Sequence, residues 1–255
     1  MNVFVILKQT FDTEEKIVIQ DGKISEDGVK FVINPYDEYA VEEALRVKEE
    51  HGGTVTAVSV GPGRSAEALR SALAMGADEA VLIASEGIDA DEYGVSRLLA
   101  AFLQEQSYDL ILGGNFSVDS GGGQVAIRLA KLLSLPHVSA ITKLSINGSQ
   151  ATAVRDAEGD GETLEVQLPA VFTAQQGLND PRYPSLPGIM KAKKKPFREL
   201  APADLGLGED DVTAKTRQTG LSLPPARQAG KLLSGTPAEQ AAELVRLLRT
   251  EAKAI

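Results

Sequence analysis

The chain begins with an unbroken apolar stretch, Val3–Leu7, rich in β-branched residues. That pattern predicts a strand buried on both faces. Lys16–Gln20, an Asp-Gly pair and Lys23–Ser25 predict a hairpin excursion, followed by a short strand at Phe31–Ile33. The period then changes. In "NPYDEYAVEEALRVKEEHGG" the residues Ala40, Val41, Ala44, Leu45 and Val47 recur on one helical face. Asn34 is expected as N-cap, Pro35 as first helical residue and Asp37 as the acid of a capping box, with Gly52-Gly53 as the stop.

The alternation continues to about residue 135. Strands are expected at Thr54–Val60, Ala80–Ala84 and Leu110–Leu112. Helices are expected after "GPGRS" with Ser65 at the start, over Asp91–Gln106, and from Gln124 to Leu133. Repeated strand–helix units imply a mostly parallel sheet covered on both faces, an α/β fold of Rossmann-like type. Residues 137–175 instead alternate at period two, with an Asn147-Gly148 turn and a second turn at 159–161, which predicts an antiparallel meander. Residues 206–235 are polar, rich in Gly and Pro and weakly periodic. They lead into "TPAEQAAELVRLLRTEAKAI", with a Thr236/Glu239 capping box and an Ala241, Leu244, Val245, Leu248 stripe. The expected organisation is a Rossmann-like domain at 1–205, containing a loop at 178–196, and an arm plus helix at 206–255. The terminal helix packs either on its own domain or on another subunit.

Composition narrows the chemistry. The 255 residues include no Cys, which excludes disulfides, thiolate metal sites and cysteine nucleophiles. Only His51 and His137 are present. Each falls at an expected element end, so neither a Ser-His-Asp triad nor a histidine metal site is expected. The formal net charge of −10 argues against general nucleic-acid binding. No apolar run reaches the roughly 18 residues of a membrane span. "MNVFVILKQT" lacks signal-peptide features, and a cytoplasmic location is expected.

In open parallel sheets, ligands bind beyond the carboxyl ends of the strands. Three segments are expected there: "NPYD" (34–37), "SVGPG" (59–63) and "GGNFSVDSGGGQV" (113–125). Glycines and a helix start suit a phosphate, and Gln124 adds a donor. No GxGxxG follows the first strand and no P-loop motif occurs, which excludes standard dinucleotide and P-loop sites. Asp119 is the carboxylate of the third segment. It serves either as an Asx-turn former or as a ligand contact.

"LNDPRYPSLPGIMKAKKKP" (178–196) is basic within an acidic chain. Ser185 as N-cap and Pro187 in the first turn predict a short helix whose lysines complement its C-terminus. That leaves Leu186, Ile189 and Met190 without a burial partner, and Leu186 has the character of a protein–protein anchor.

Across nearly its whole length the chain resembles the β subunit of electron transfer flavoprotein. The resemblance rests on "VFVILKQTFDT", "NPYDEYAVEEALRVKE", "VSVGP", "SALAMGADEAVLI", "LPAVFTAQQGLNDPRYPSLPGIMKAKKKP" and "DLGL". It implies a fold of the adenine-nucleotide α-hydrolase-like kind and pairing with an α subunit that holds most of the FAD. It also implies an electron-carrying role between acyl-CoA dehydrogenase-type flavoenzymes and a quinone oxidoreductase, without catalysis of its own. AMP would sit in this subunit against Ile6, Asn34, Pro35, Tyr36, Asp37, Val60, Gly114, Asn115, Asp119, Gly122, Gly123, Gln124 and Val125. Its phosphate would lie at residues 123–125. Partner recognition would fall to Tyr183, Leu186, Ile189, Met190, Lys191 and Lys194, the two lysines matching positions methylated in some members. This chain has Asn115 and Gly121 where many members carry Lys and an acid, and Thr13 where some carry Tyr. Two alternatives remain. One is an electron-bifurcating relative with a second FAD and NADH as donor. The other is an ATP-using adenylating enzyme on the same sheet, although "LKQTFDT" is not its pyrophosphate loop.

Overall fold

The computed structural model describes residues 1–88, 90–227 and 229–255. Strand β1 (Asn2–Ile6) is an interior strand of the sheet. Its register sets Val5 opposite Ala57 of β6 (Thr54–Gly61) on one side and Leu112 of β8 (Leu110–Gly114) on the other. Val3, Val5 and Leu7 point into a core shared with Val41, Leu45, Leu69 and Leu73 of helices α1 (Pro35–His51) and α2 (Ala66–Met75). Phe4 and Ile6 point the other way, towards Leu98, Leu103 and Leu129 of α3 (Glu92–Gln104) and α4 (Val125–Leu132). Both faces of the strand are covered, which is why its apolar run has no alternation.

Among the described residues nine strands form one sheet, in the order β11-β10-β9-β12-β8-β1-β6-β7-β13. The remaining ranges are Glu79–Ala84 for β7, His137–Asn147 for β9, Gln150–Ala157 for β10, Asp160–Gln167 for β11, Ala170–Ala174 for β12 and Phe197–Leu200 for β13. The first excursion holds β2 (Gln9–Phe11), the small hairpin of β3 (Ile19–Gln20) and β4 (Lys23–Ile24), and β5 (Phe31–Ile33). β2 and β5 pair antiparallel, an arrangement the sequence did not announce.

The meander is shorter than its pattern suggested. β9, β10 and β11 are antiparallel, but β12 runs parallel to both β8 and β9 and inserts between them. All five residues of β12 are buried, and its "AVFTA" sequence lacks the alternation of a one-faced strand.

The chain divides into two units: residues 1–18 with 24–219, and residues 19–23 with 220–255. The weakly periodic stretch after residue 205 begins with order. Helix α6 (Glu209–Val212) packs on α3, and Val212 is fully buried in the second core. In the second unit, α7 (Pro237–Thr250) carries the expected Thr236/Glu239 capping box, and none of its residues is buried. No helix among the described residues is long and apolar enough to cross a membrane.

Candidate nucleotide cleft and docking helix

The sheet order places its topological switch beside β1, because β6 and β7 extend to one side of it and β8 returns on the other. A cleft of about 390 Å3 opens there, beyond the carboxyl ends of β1, β6 and β8. Ile6, Val58, Val60, Val95 and Leu99 give it apolar surface. Lys8, Asn34, Asp37, Asp91, Glu92, Asn115, Ser117 and Gln124 give it polar groups.

Two side chains at the start of α1 hold the rim together. Asn34 occupies the N-cap position, but its side chain makes no cap hydrogen bond. Its Nδ2 donates to the Phe116 carbonyl (2.9 Å) and its Oδ1 accepts from Val118 N–H (3.1 Å). The expected capping box is therefore corrected. Asp37 does not accept from the Asn34 backbone N–H, which donates to the Lys8 carbonyl at 2.8 Å. Its Oδ2 accepts from Lys8 N–H (2.7 Å) and its Oδ1 from Gly114 N–H (2.8 Å). One carboxylate thus joins the ends of β1 and β8, whose facing backbone groups no ladder satisfies beyond the sheet. Burial pushes the Asp37 carboxyl up to about 7, against the pull of those N–H donors and of Asn34. Gly114 is required at this junction, because a Cβ would meet the Asp37 carboxylate and the Tyr36 backbone.

The third loop is braced by an ion pair and a hydroxyl–hydroxyl bond. Lys8 Nζ pairs with Asp119 at 2.8 Å, and Ser117 and Ser120 bond each other at 2.8 Å. Burial acts to raise the Asp119 pKa, but Lys8 and Ser117 bring it below the ordinary carboxylate value. The loop ends at α4, whose first N–H groups have no intrahelical acceptor. Gln124 turns its Oε1 to Arg128 at 3.0 and 2.7 Å. Across the cleft, Asp91 caps α3 through Tyr93 and Gly94 N–H. Its other oxygen accepts from Lys215 N–H, Thr216 N–H and the Thr216 hydroxyl. Burial opposes ionisation, yet the Thr216, Gly94 and Lys215 donors hold this carboxyl at about 2.

The basic loop has a fixed base and an exposed crest. Leu178 is buried, and Asn179 donates to the Tyr39 carbonyl and the Glu43 carboxylate. Arg182 grips Glu42 through Nε and Nη2 (2.7 and 2.9 Å) and Glu49 through Nη1 (2.6 Å). Glu42 and Glu49 hold the guanidinium pKa above its ordinary value. Arg182→Ala removes both guanidinium donors from the buried Glu42 carboxylate and leaves it the residue-182 backbone N–H at 3.1 Å. We expect the protein to lose about 2 kcal/mol, read as a lower thermal midpoint, reduced from the fully buried case because Arg182 is partly exposed. Beyond this clamp, Ser185 caps α5 (Leu186–Ala192) by accepting from Gly188 N–H, as the sequence predicts. Tyr183 is 94% exposed, Leu186 74% and Met190 67%, with Ile189 also exposed.

Residues 21–205 match the electron transfer flavoprotein domain model. The protein is 59% identical over 257 aligned positions to the electron transfer flavoprotein subunit beta of Bacillus subtilis, covering 100% of both chains. The chain belongs to the electron transfer flavoprotein β-subunit family. The corresponding protein of Syntrophomonas wolfei is 41% identical, over 99% of this chain and 98% of that one. The Homo sapiens protein is 38% identical, over 90% and 91% respectively.

Of the residues expected at a nucleotide, Ile6, Asn34, Asp37, Val60, Gly114, Asn115, Gly123, Gln124 and Val125 line the cleft. Pro35, Tyr36, Asp119 and Gly122 do not. Tyr36 turns its ring to Phe116, with centroids 4.2 Å apart, and Gly122 lies against the Glu92 carboxylate. Within the second segment, Val60 reaches the cleft while Gly63 N–H turns to Glu86. Lys8, Asp91 and Glu92 were missed. Lys8, one residue past the apolar run, and Asp91, an Asp directly before a helical stretch, carried a usable signal.

Proposed function

We propose that this chain is the β subunit of a heterodimeric electron transfer flavoprotein, carrying electrons from acyl-CoA dehydrogenase-type flavoenzymes to a quinone reductase. The named relatives support the subunit identity. The observation that carries the docking role is α5, which exposes Leu186 and Met190 beside Lys191 and Lys194 on a base clamped by Arg182. A single apolar anchor on a small patch suits a carrier that must leave after each transfer. The flavin, held mainly by the α subunit, supplies the redox chemistry. This chain supplies partner contact and a nucleotide-binding body, and α7 with its exposed Leu244 and Val245 is the segment assigned to the α subunit.

The cleft fits AMP in size and chemistry. Its volume is sufficient for a mononucleotide. Ile6, Val60 and Leu99 offer apolar contact for a purine, and the Gly123–Val125 backbone at the start of α4 offers N–H donors for a monophosphate. AMP here binds and braces the rim formed by Asn34 and Asp37 and takes no part in electron transfer. Denaturing the purified complex and separating the released nucleotides is expected to give AMP and FAD in equal amounts. FAD alone, at twice the complex concentration, would assign the cleft to a second flavin and the complex to the bifurcating type.

A further inference from the structure

Two sequence blocks more than a hundred positions apart meet at the C-terminus of α2: "SALAMGAD" (71–78) and "GIMKAKKKP" (188–196). The last carbonyls of a helix have no partner within it. The Ala72 carbonyl is taken by the N–H groups of Gly76 and Ala77. The Leu73 carbonyl accepts from Lys195 Nζ at 2.9 Å, and the same ammonium donates to the Ala77 carbonyl at 2.6 Å. The Ala74 carbonyl faces Gly188, where any Cβ would collide with it. Between these contacts, Ala192 is buried against the first core. The helix terminus is itself fixed, because Asp78 accepts from Lys48 Nζ (2.6 and 2.8 Å) and from Val55 N–H.

Helix α5 is therefore held at both ends by one helix terminus, with Gly188 near its start and Lys195 just past its end. The four lysines of the run divide by this geometry. Lys191, Lys193 and Lys194 are exposed, whereas Lys195 is half-buried with its ammonium on backbone oxygens. Burial lowers the Lys195 pKa, with Asp78 opposing that shift.

We propose that Lys195 is a positioning residue for partner recognition, setting the pose of α5, and so the direction of Leu186, through the Leu73 and Ala77 carbonyls. It is not part of the charged collar that meets the partner. This inference rests on the proposed docking role of α5.

The test uses the intact α–β complex and a purified acyl-CoA dehydrogenase as reductant. Lys195→Met is expected to raise KM for the complex about five- to tenfold and to leave kcat within about twofold, as a misdirected anchor weakens encounter without touching the flavin. The salt dependence of kcat/KM should keep the wild-type slope, whereas Lys194→Met should flatten it. Hydrogen exchange of residues 186–192 should accelerate in Lys195→Met. Lys195→Gln, which keeps a donor but is too short for both carbonyls, should show the same changes at smaller size and serves if Lys195→Met does not assemble. An unchanged KM, or a raised KM with the salt slope flattened as in Lys194→Met, overturns the proposal. If Leu186→Ala leaves reduction unaffected, the docking role itself fails. The exchange measurement then judges the Lys195 contact alone, and unchanged exchange at 186–192 overturns it.

Discussion

Asp37→Asn is expected to destabilise the complex by about 3 kcal/mol and to weaken binding of the AMP proposed for the cleft. Both carboxylate oxygens of Asp37 accept backbone N–H groups, from Lys8 and from Gly114. An Asn amide can accept at one of these sites only, and turns an NH2 group towards the other buried donor. The two strand ends that form the cleft rim then lose their common tie, so nucleotide retention falls together with stability. The effect has a defined pH dependence. Burial raises the native pKa to about 7 from an ordinary 3.8, so between those values the native state holds a proton that the unfolded chain has released. The contribution of this group to stability is fullest below about pH 4 and is lost as pH rises through 7. The gap between wild type and Asp37→Asn, measured by thermal unfolding of the complex, should narrow from pH 5 to pH 8. A gap that stays constant over that range would show that Asp37 is ionised throughout.

Leu186→Ala is expected to lower kcat/KM for reduction by the dehydrogenase about ten- to hundredfold, the worth of one leucine taken from water into a partner pocket. Leu186 is 74% exposed and makes no contribution to either core, so the flavin absorbance and thermal midpoint of the complex should not change. The two readouts separate an anchor from a packing residue. A loss of rate accompanied by loss of flavin would place Leu186 at the subunit interface, and an unchanged rate would remove the anchor.

The parts of this protein legible in its sequence are those whose signal is local. The stripe from Ala40 to Val47 gave α1, and the unbroken run at Val3–Leu7 gave a strand covered on both faces. Ser185 and Pro187 gave the start of α5, and Thr236 with Glu239 gave the start of α7. The three segments expected at the carboxyl ends of the strands do converge, because chain order in a parallel sheet largely decides which loops meet.

What was not legible depends on partners distant in sequence. Asp37 has the spacing of a capping-box acid, yet its actual donors lie 29 and 77 positions away. Lys195 has the look of one more solvated lysine, and its acceptors lie 122 and 118 positions away. Asp119 could be placed in the cleft-forming loop, but not in its ion pair with Lys8, which lies 111 positions away. β12 was misplaced in the meander because a short, fully buried strand carries no mark of which neighbour it pairs with.

The central claim is that this chain serves an electron carrier reduced by a dehydrogenase through α5. The most direct measurement is anaerobic stopped-flow absorbance of the α–β complex mixed with an acyl-CoA dehydrogenase and its substrate, and separately with NADH. The account predicts that the flavin of the complex bleaches rapidly with the dehydrogenase and not with NADH. Rapid bleaching by NADH, or none with acyl-CoA dehydrogenases, would contradict it.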